Sequence, residues 1–144
     1  MLSHVEIYVS NLEKSRAFWQ WFLCEELGYS LYQEWPKGVS FKHGQIYLVF
    51  VQTEEKHLVT GYNRCRTGLN HLAFHAHSKS HIDDLTTKLR ARDVTILYED
   101  RHPHAGGPDS YAVFFEDPNR IKVEVVFVVG KRSRRAERRS ARLR

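Results

Sequence analysis

The chain has 144 residues, 42% of them hydrophobic and 27% charged, which is the balance of one globular domain, and no apolar run reaches the roughly 18 residues of a membrane helix. Met1–Glu6 lacks the basic flank and apolar stretch of a secretory signal, and Cys24 and Cys65 form no CxxC pair. This argues against a disulfide scaffold and a cysteine zinc site and for a reducing cytoplasm. The net charge of +5 is concentrated at one end: residues 130–144 hold eight basic residues against Glu137, which leaves residues 1–129 at −2.

His4–Val9 alternates, with His4, Glu6 and Tyr8 on one side and Val5, Ile7 and Val9 on the other, which predicts a strand with one polar and one apolar face. Ser10-Asn11-Leu12-Glu13 reads as a capping box opening a helix that runs to about Leu27 and stops at Gly28. Phe18, Trp19, Trp21, Phe22 and Leu23 give that helix a broad apolar surface, read as core, and Cys24 within it is read as buried and inert. Strands are predicted at Ser30–Trp35, Val39–His43 and Gln45–Gln52, with turns at Pro36-Lys37-Gly38 and His43-Gly44. Thr53–Thr67 is polar and irregular, a linker.

The pattern then restarts. Leu69–His77 is a strand with His71, Ala73, His75 and His77 on one side, and Ser78–Arg92 is a helix with Ile82, Leu85 and Leu89 at helical spacing. A strand at Val94–Glu99, a Gly/Pro/His loop at Arg101–Ser110, a strand at Tyr111–Glu116, a turn at Asp117–Arg120 and a last strand at Ile121–Val129 follow. The basic tail is read first as a solvated end, because no aromatic residue interleaves its arginines to stack on bases; a nonspecific contact with RNA or an anionic surface is the second reading.

The order strand, helix, three strands therefore occurs twice, with 67 residues between His4 and His71. The predicted architecture is α+β: one domain over 1–129, with module 1 at about 2–53, a linker at 54–67 and module 2 at about 68–129. Each βαβββ module covers one face of a mixed, curved sheet with its helix and leaves the other face for a cleft. Superimposing the halves sets His4 on His71, and Val49 on Glu124. Two imidazoles and one carboxylate on a cleft form a facial set for one divalent ion, Fe, Mn, Zn or Ni.

At these residues the chain resembles the vicinal oxygen chelate superfamily, which includes glyoxalase I, bleomycin-resistance proteins, fosfomycin-modifying enzymes and type I extradiol dioxygenases. The resemblance is carried by His4-Val5-Glu6-Ile7-Tyr8-Val9 before an aromatic-rich helix, by Leu69-Asn70-His71-Leu72-Ala73-Phe74, and by Phe114-Phe115-Glu116-Asp117-Pro118-Asn119-Arg120-Ile121-Lys122-Val123-Glu124. It implies paired modules, a metal in the cleft that activates a substrate chelating through oxygens, and a homodimer.

The expected metal ligands are His4, His71 and Glu124. Glu6 and His75 are the candidate acid–base residues, and Tyr47, Arg101, His102, His104, Tyr111 and Lys122 the candidate substrate contacts. Val49 departs from glyoxalase I, which resembles this chain but has a second carboxylate there. Glu6 departs from the fosfomycin-modifying enzymes, which place a hydroxyl donor at that position. The expected activity is glyoxalase-like lyase or isomerase chemistry. An extradiol-type dioxygenase, a fosfomycin-type thiol transferase and a non-catalytic antibiotic-binding protein are the alternatives.

Overall fold

The computed structural model describes residues 1–128. The basic tail and the last residue of the predicted final strand lie outside them. Among the described residues there are eight strands and two α-helices: β1 (His4–Val9), α1 (Leu12–Gln20), β2 (Ser30–Trp35), β3 (Gly38–His43), β4 (Ile46–Gln52), β5 (His71–His75), α2 (Lys79–Ala91), β6 (Ile96–Leu97), β7 (Ser110–Glu116) and β8 (Lys122–Val128). They form two four-stranded sheets in the orders β1-β4-β3-β2 and β5-β8-β7-β6. The repeat read from the sequence is thus a repeat of topology. In both halves the first strand joins the last, and the middle strands extend outward.

The chain divides into two compact units, Met1–Leu72 with Glu116–Val123, and Ala73–Phe115 with the segment from Glu124. In the first unit, β1 pairs with β4 in parallel, and β4 with β3 and β3 with β2 antiparallel. Ile7, Val9, Phe41, Leu48 and Phe50 are buried on one face of this sheet, and Trp19 of α1 stacks on Phe50 at 4.8 Å between ring centroids. Burial of such large side chains supplies most of the drive to fold, at about 1.5–3 kcal/mol each. In the second unit, Ile82, Leu85 and Leu89 of α2 and Val113 and Phe115 of β7 are fully buried.

The first helix differs from its sequence expectation at both ends. Asn11, not Ser10, is the cap: its side chain accepts from the Lys14 main-chain N–H at 3.0 Å, while Ser10 Oγ accepts from Asn119 Nδ2. After Gln20 the helix rewinds as a π-helical segment, Trp21–Glu26, before Gly28 ends it at a φ of +75°. The wider winding turns three successive residues, Trp21, Phe22 and Leu23, into the protein, where all are buried. The predicted strand at Val94–Glu99 contracts to Ile96–Leu97, because Glu99–Arg101 coils into a 3-10 turn.

Asp117 pins the β7–β8 turn within the first unit. Its carboxylate accepts from the Asn119 and Ile121 main-chain N–H groups, both at 2.8 Å, and from Trp19 Nε1 at 3.0 Å. Burial nonetheless pushes the Asp117 carboxyl up to about 6, and these three bonds and the neighbouring Glu116 charge act as smaller effects. Asn119 bonds to the Ser10 N–H and hydroxyl, and Glu116 pairs with Arg64 at 2.8 Å.

Candidate functional site

Alternation along β1 places His4, Glu6 and Tyr8 on the face opposite the buried Ile7 and Val9, and all three are exposed. The register continues this face across the sheet in rows: His4–Tyr47–Lys42, Glu6–Val49–Ser40 and Tyr8–Val51–Gly38. The His4 imidazole stacks on Tyr47 at 4.6 Å with an 11° interplanar angle. Tyr32 meets Tyr47 edge-on at 5.2 Å, and Lys42 Nζ lies 4.7 Å over the Tyr32 ring. A bulge between Leu31 and Gln33 brings Tyr32 onto this face, and Ser40 Oγ holds it by accepting the Gln33 N–H. Trp35 rests against Gly38 so closely that any Cβ there would overlap its indole ring.

His4 and His71 share a second local feature. His4 Nδ1 lies 3.2 Å from Ser3 Oγ, and His71 Nδ1 lies 2.8 Å from Asn70 Oδ1. In each half the residue before the histidine therefore engages Nδ1. The Asn70 oxygen can only accept, so the His71 Nδ1–H donates to it. A side-chain oxygen on Nδ1 is the usual support of an imidazole that binds a metal through Nε2. By donor chemistry, two such imidazoles and Glu124 suit a divalent ion. Among the described residues of one chain, however, no three His, Cys, Asp or Glu side chains stand close enough to hold one. Lys122 and Glu124 are half-buried on β8 and alternate with the buried Val123 and Val125; His75 is exposed at the end of β5.

The remaining candidates gather elsewhere. The Tyr111 hydroxyl donates to Asp83 of α2 at 2.6 Å, and Lys79 Nζ lies 5.5 Å over its ring. The Tyr111 hydroxyl is thus engaged by α2. His104 meets Tyr111 edge-on at 5.6 Å, and its Nδ1 lies 2.9 Å from the Ser110 carbonyl. Arg101 lies 5.0 Å over the Tyr98 ring. Burial, first, and the nearby Arg90 cation lower the His102 pKa, against smaller raising effects of Asp83 and Glu99.

Two features escaped the sequence. Asp117 reads as an ordinary turn residue, and only Trp19, 98 positions away, reveals it as a buried pin. The linker reads as irregular chain, yet residues between His57 and Leu69 wall a cavity of about 580 Å³ against β1. No periodicity announces a wall built from loop.

The chain belongs to the Glyoxalase/Bleomycin resistance protein/Dioxygenase superfamily, whose family model matches residues 1–125. It is 58% identical over 125 residues to the uncharacterized protein YqjT of Bacillus subtilis (strain 168), covering 87% of this chain and 97% of that one. The crystal structure of a candidate glyoxalase from Bacillus halodurans is similar with a TM-score of 0.86 at 63% identity, over 88% of this chain and 94% of that one. Lactoylglutathione lyase from Agrobacterium tumefaciens shares the fold, with a TM-score of 0.61 at 22% identity, over 88% of this chain and 92% of that one.

Proposed function

We propose that this protein is a metal-dependent enzyme whose small substrate chelates the ion through oxygens, and that its chemistry is an isomerase or lyase reaction of the glyoxalase kind. His4, His71 and Glu124 are the proposed ligands, completed between two copies of the chain in a homodimer, and the cytoplasm is the proposed location. One observation carries this reading: both histidines, at matching places in the repeat, have Nδ1 engaged by the preceding side chain.

The bound ion would supply Lewis-acid polarisation of the substrate's oxygens. The chain's own residues do the rest. Glu6 leaves the same face as His4, two residues further on, opposite Val49, which offers no competing base. Its carboxylate would take a proton from the hydroxyl-bearing carbon beside the substrate's carbonyl and return it to the carbonyl carbon, while the hydroxyl proton passes to the former carbonyl oxygen, an isomerisation without net redox change. Tyr47 holds the His4 ring by stacking, and Lys42 and Tyr32 beside it bind and orient the substrate. His75 is the alternative proton carrier. Lys122 and the loop bearing Arg101, His102 and His104 are the proposed contacts for an anionic group, with Tyr111 holding that loop to α2 through Asp83.

Extradiol-type oxygen chemistry and fosfomycin-type thiol transfer are the finer alternatives. A non-catalytic antibiotic-binding protein is the rival of another class, and the exposed aromatics Tyr8, Tyr32 and Trp35 on the open sheet face favour it. A substrate screen of protein loaded anaerobically with Fe(II), Mn(II), Zn(II) or Ni(II) separates them. Turnover of a 2-oxo-aldehyde adduct supports the proposal. Ligand binding without turnover under every loading supports the rival.

A further inference from the structure

The start of α2 holds two histidines that the proposed reaction does not use. Ser78 caps this helix, and its hydroxyl accepts the His81 main-chain N–H at 3.0 Å. The His81 side chain reaches back in return: its Nδ1 accepts the His77 main-chain N–H at 3.2 Å. This is the reciprocal logic of a capping box, with an imidazole in place of the usual Glu or Gln and the bond falling one residue before the cap. A main-chain amide can only donate, so His81 Nδ1 holds a lone pair and no proton. The two imidazoles stack, with ring centroids 5.1 Å apart and 16° between their planes.

The first two turns of α2 also hold the loop that precedes β7. Asp83 accepts the Tyr111 hydroxyl at 2.6 Å, Lys79 Nζ lies 5.5 Å over the Tyr111 ring, and His104 of the loop meets that ring edge-on at 5.6 Å. Tyr111 thus joins the capped end of the helix to the loop. The other ionisable groups of this end are Asp84 on α2, His75 at the end of β5, and His102, which senses the Asp83 charge. β8 adds only apolar side chains, Val125–Val128, where the Val126 carbonyl accepts the Ala76 N–H. His104 Nδ1 faces the Ser110 carbonyl, which can only accept, so that bond survives protonation of its ring. The bond from His77 to His81 does not.

We propose that His81 is an acid-sensitive latch on the loop before β7. Histidine is the side chain that ordinarily changes charge between pH 5 and 8. A proton taken up from solvent at His81 Nδ1 removes the acceptor for the His77 N–H. It also sets a cation on the positive end of the helix dipole and against a second imidazole. The first turn then frays, Asp83 and Lys79 lose their hold on Tyr111, and the loop is released. At neutral pH the latch is closed.

The test is a ¹H–¹⁵N NMR titration of the full chain from pH 8 to pH 5, without metal or substrate, so its outcome is independent of the reaction proposed above. The His77, Tyr111, Ala105 and Gly106 amide resonances should move together. Protection of the first-turn amides against exchange, corrected for the intrinsic rate, should fall about fivefold, the equivalent of one lost helix cap. His81→Gln supplies an acceptor that does not titrate, and should hold that protection and the Tyr111 resonance steady across the range. His81→Glu should likewise keep the latch closed down to pH 5, because a glutamate stays ionised to about pH 4.3. His104→Gln should leave the acid response in place. A Tyr111 shift that persists in His81→Gln, or that vanishes in His104→Gln, would move the trigger elsewhere and overturn the proposal. So would first-turn protection in the wild type that does not change with pH.

Discussion

Replacing Asp117 with Asn tests how the buried turn is held, and the sign of the answer depends on pH. The side chain is 4% exposed and accepts three hydrogen bonds, yet burial raises its carboxyl from an ordinary 3.8 to about 6. A raised folded-state pKa means that the folded protein binds the proton more tightly than the unfolded chain. Asp117 therefore contributes most stability below about pH 3.8, and that contribution declines as pH rises to about 6. The difference amounts to about 3 kcal/mol across this window. Asn keeps the two main-chain bonds but turns an NH₂ toward Trp19 Nε1–H, setting donor against donor at a cost of about 1–3 kcal/mol. Urea unfolding of both proteins from pH 4 to pH 7 reads the result. The cost of Asp117→Asn should be largest at pH 4 and shrink toward neutrality. A cost that grows toward pH 7 would show that the three hydrogen bonds outweigh burial and hold the carboxylate ionised.

Further outcomes follow from the same geometry. Asn11→Ala should cost about 1 kcal/mol by thermal or urea unfolding, through loss of the α1 cap. Glu6→Gln should leave metal content unchanged and cut turnover about 100-fold or more once a substrate is in hand; unchanged turnover would remove Glu6 as the base. Val49→Glu, next to Glu6 in register, should tighten metal binding in a titration and weaken the native substrate by taking a coordination position. Gly38→Ala should displace Trp35 from the sheet, read as a shift of its indole resonance, since a Cβ at that position would sit within the ring.

Most of the fold was legible because its elements are periodic. The His4–Val9 alternation, the Ile82-Leu85-Leu89 spacing and the 67-residue repeat each name a packed face without reference to the rest of the chain. What was illegible depends on partners far away in sequence. Ser10 and Asn11 are both good caps, and Asn119 decides between them by engaging Ser10. Nothing in the strand around Tyr111 shows that Asp83 of α2, 28 positions away, engages its hydroxyl. Tyr32 reaches the open face through a bulge, which period-two reasoning cannot foresee. For the site, the residue types were readable and the support was not: Ser3 and Asn70 carry no motif, and only their positions beside His4 and His71 give them a role.

Metal content addresses the central claim most directly. The purified chain, loaded anaerobically with Fe(II), Mn(II), Zn(II) or Ni(II) and desalted, is assayed by plasma mass spectrometry beside His4→Ala, His71→Ala and Glu124→Gln. The account predicts about one ion per chain for at least one of these metals, lost or sharply weakened in all three folded variants. Stoichiometric metal retained in the variants, or no stoichiometric binding by the wild type under any loading, would contradict it.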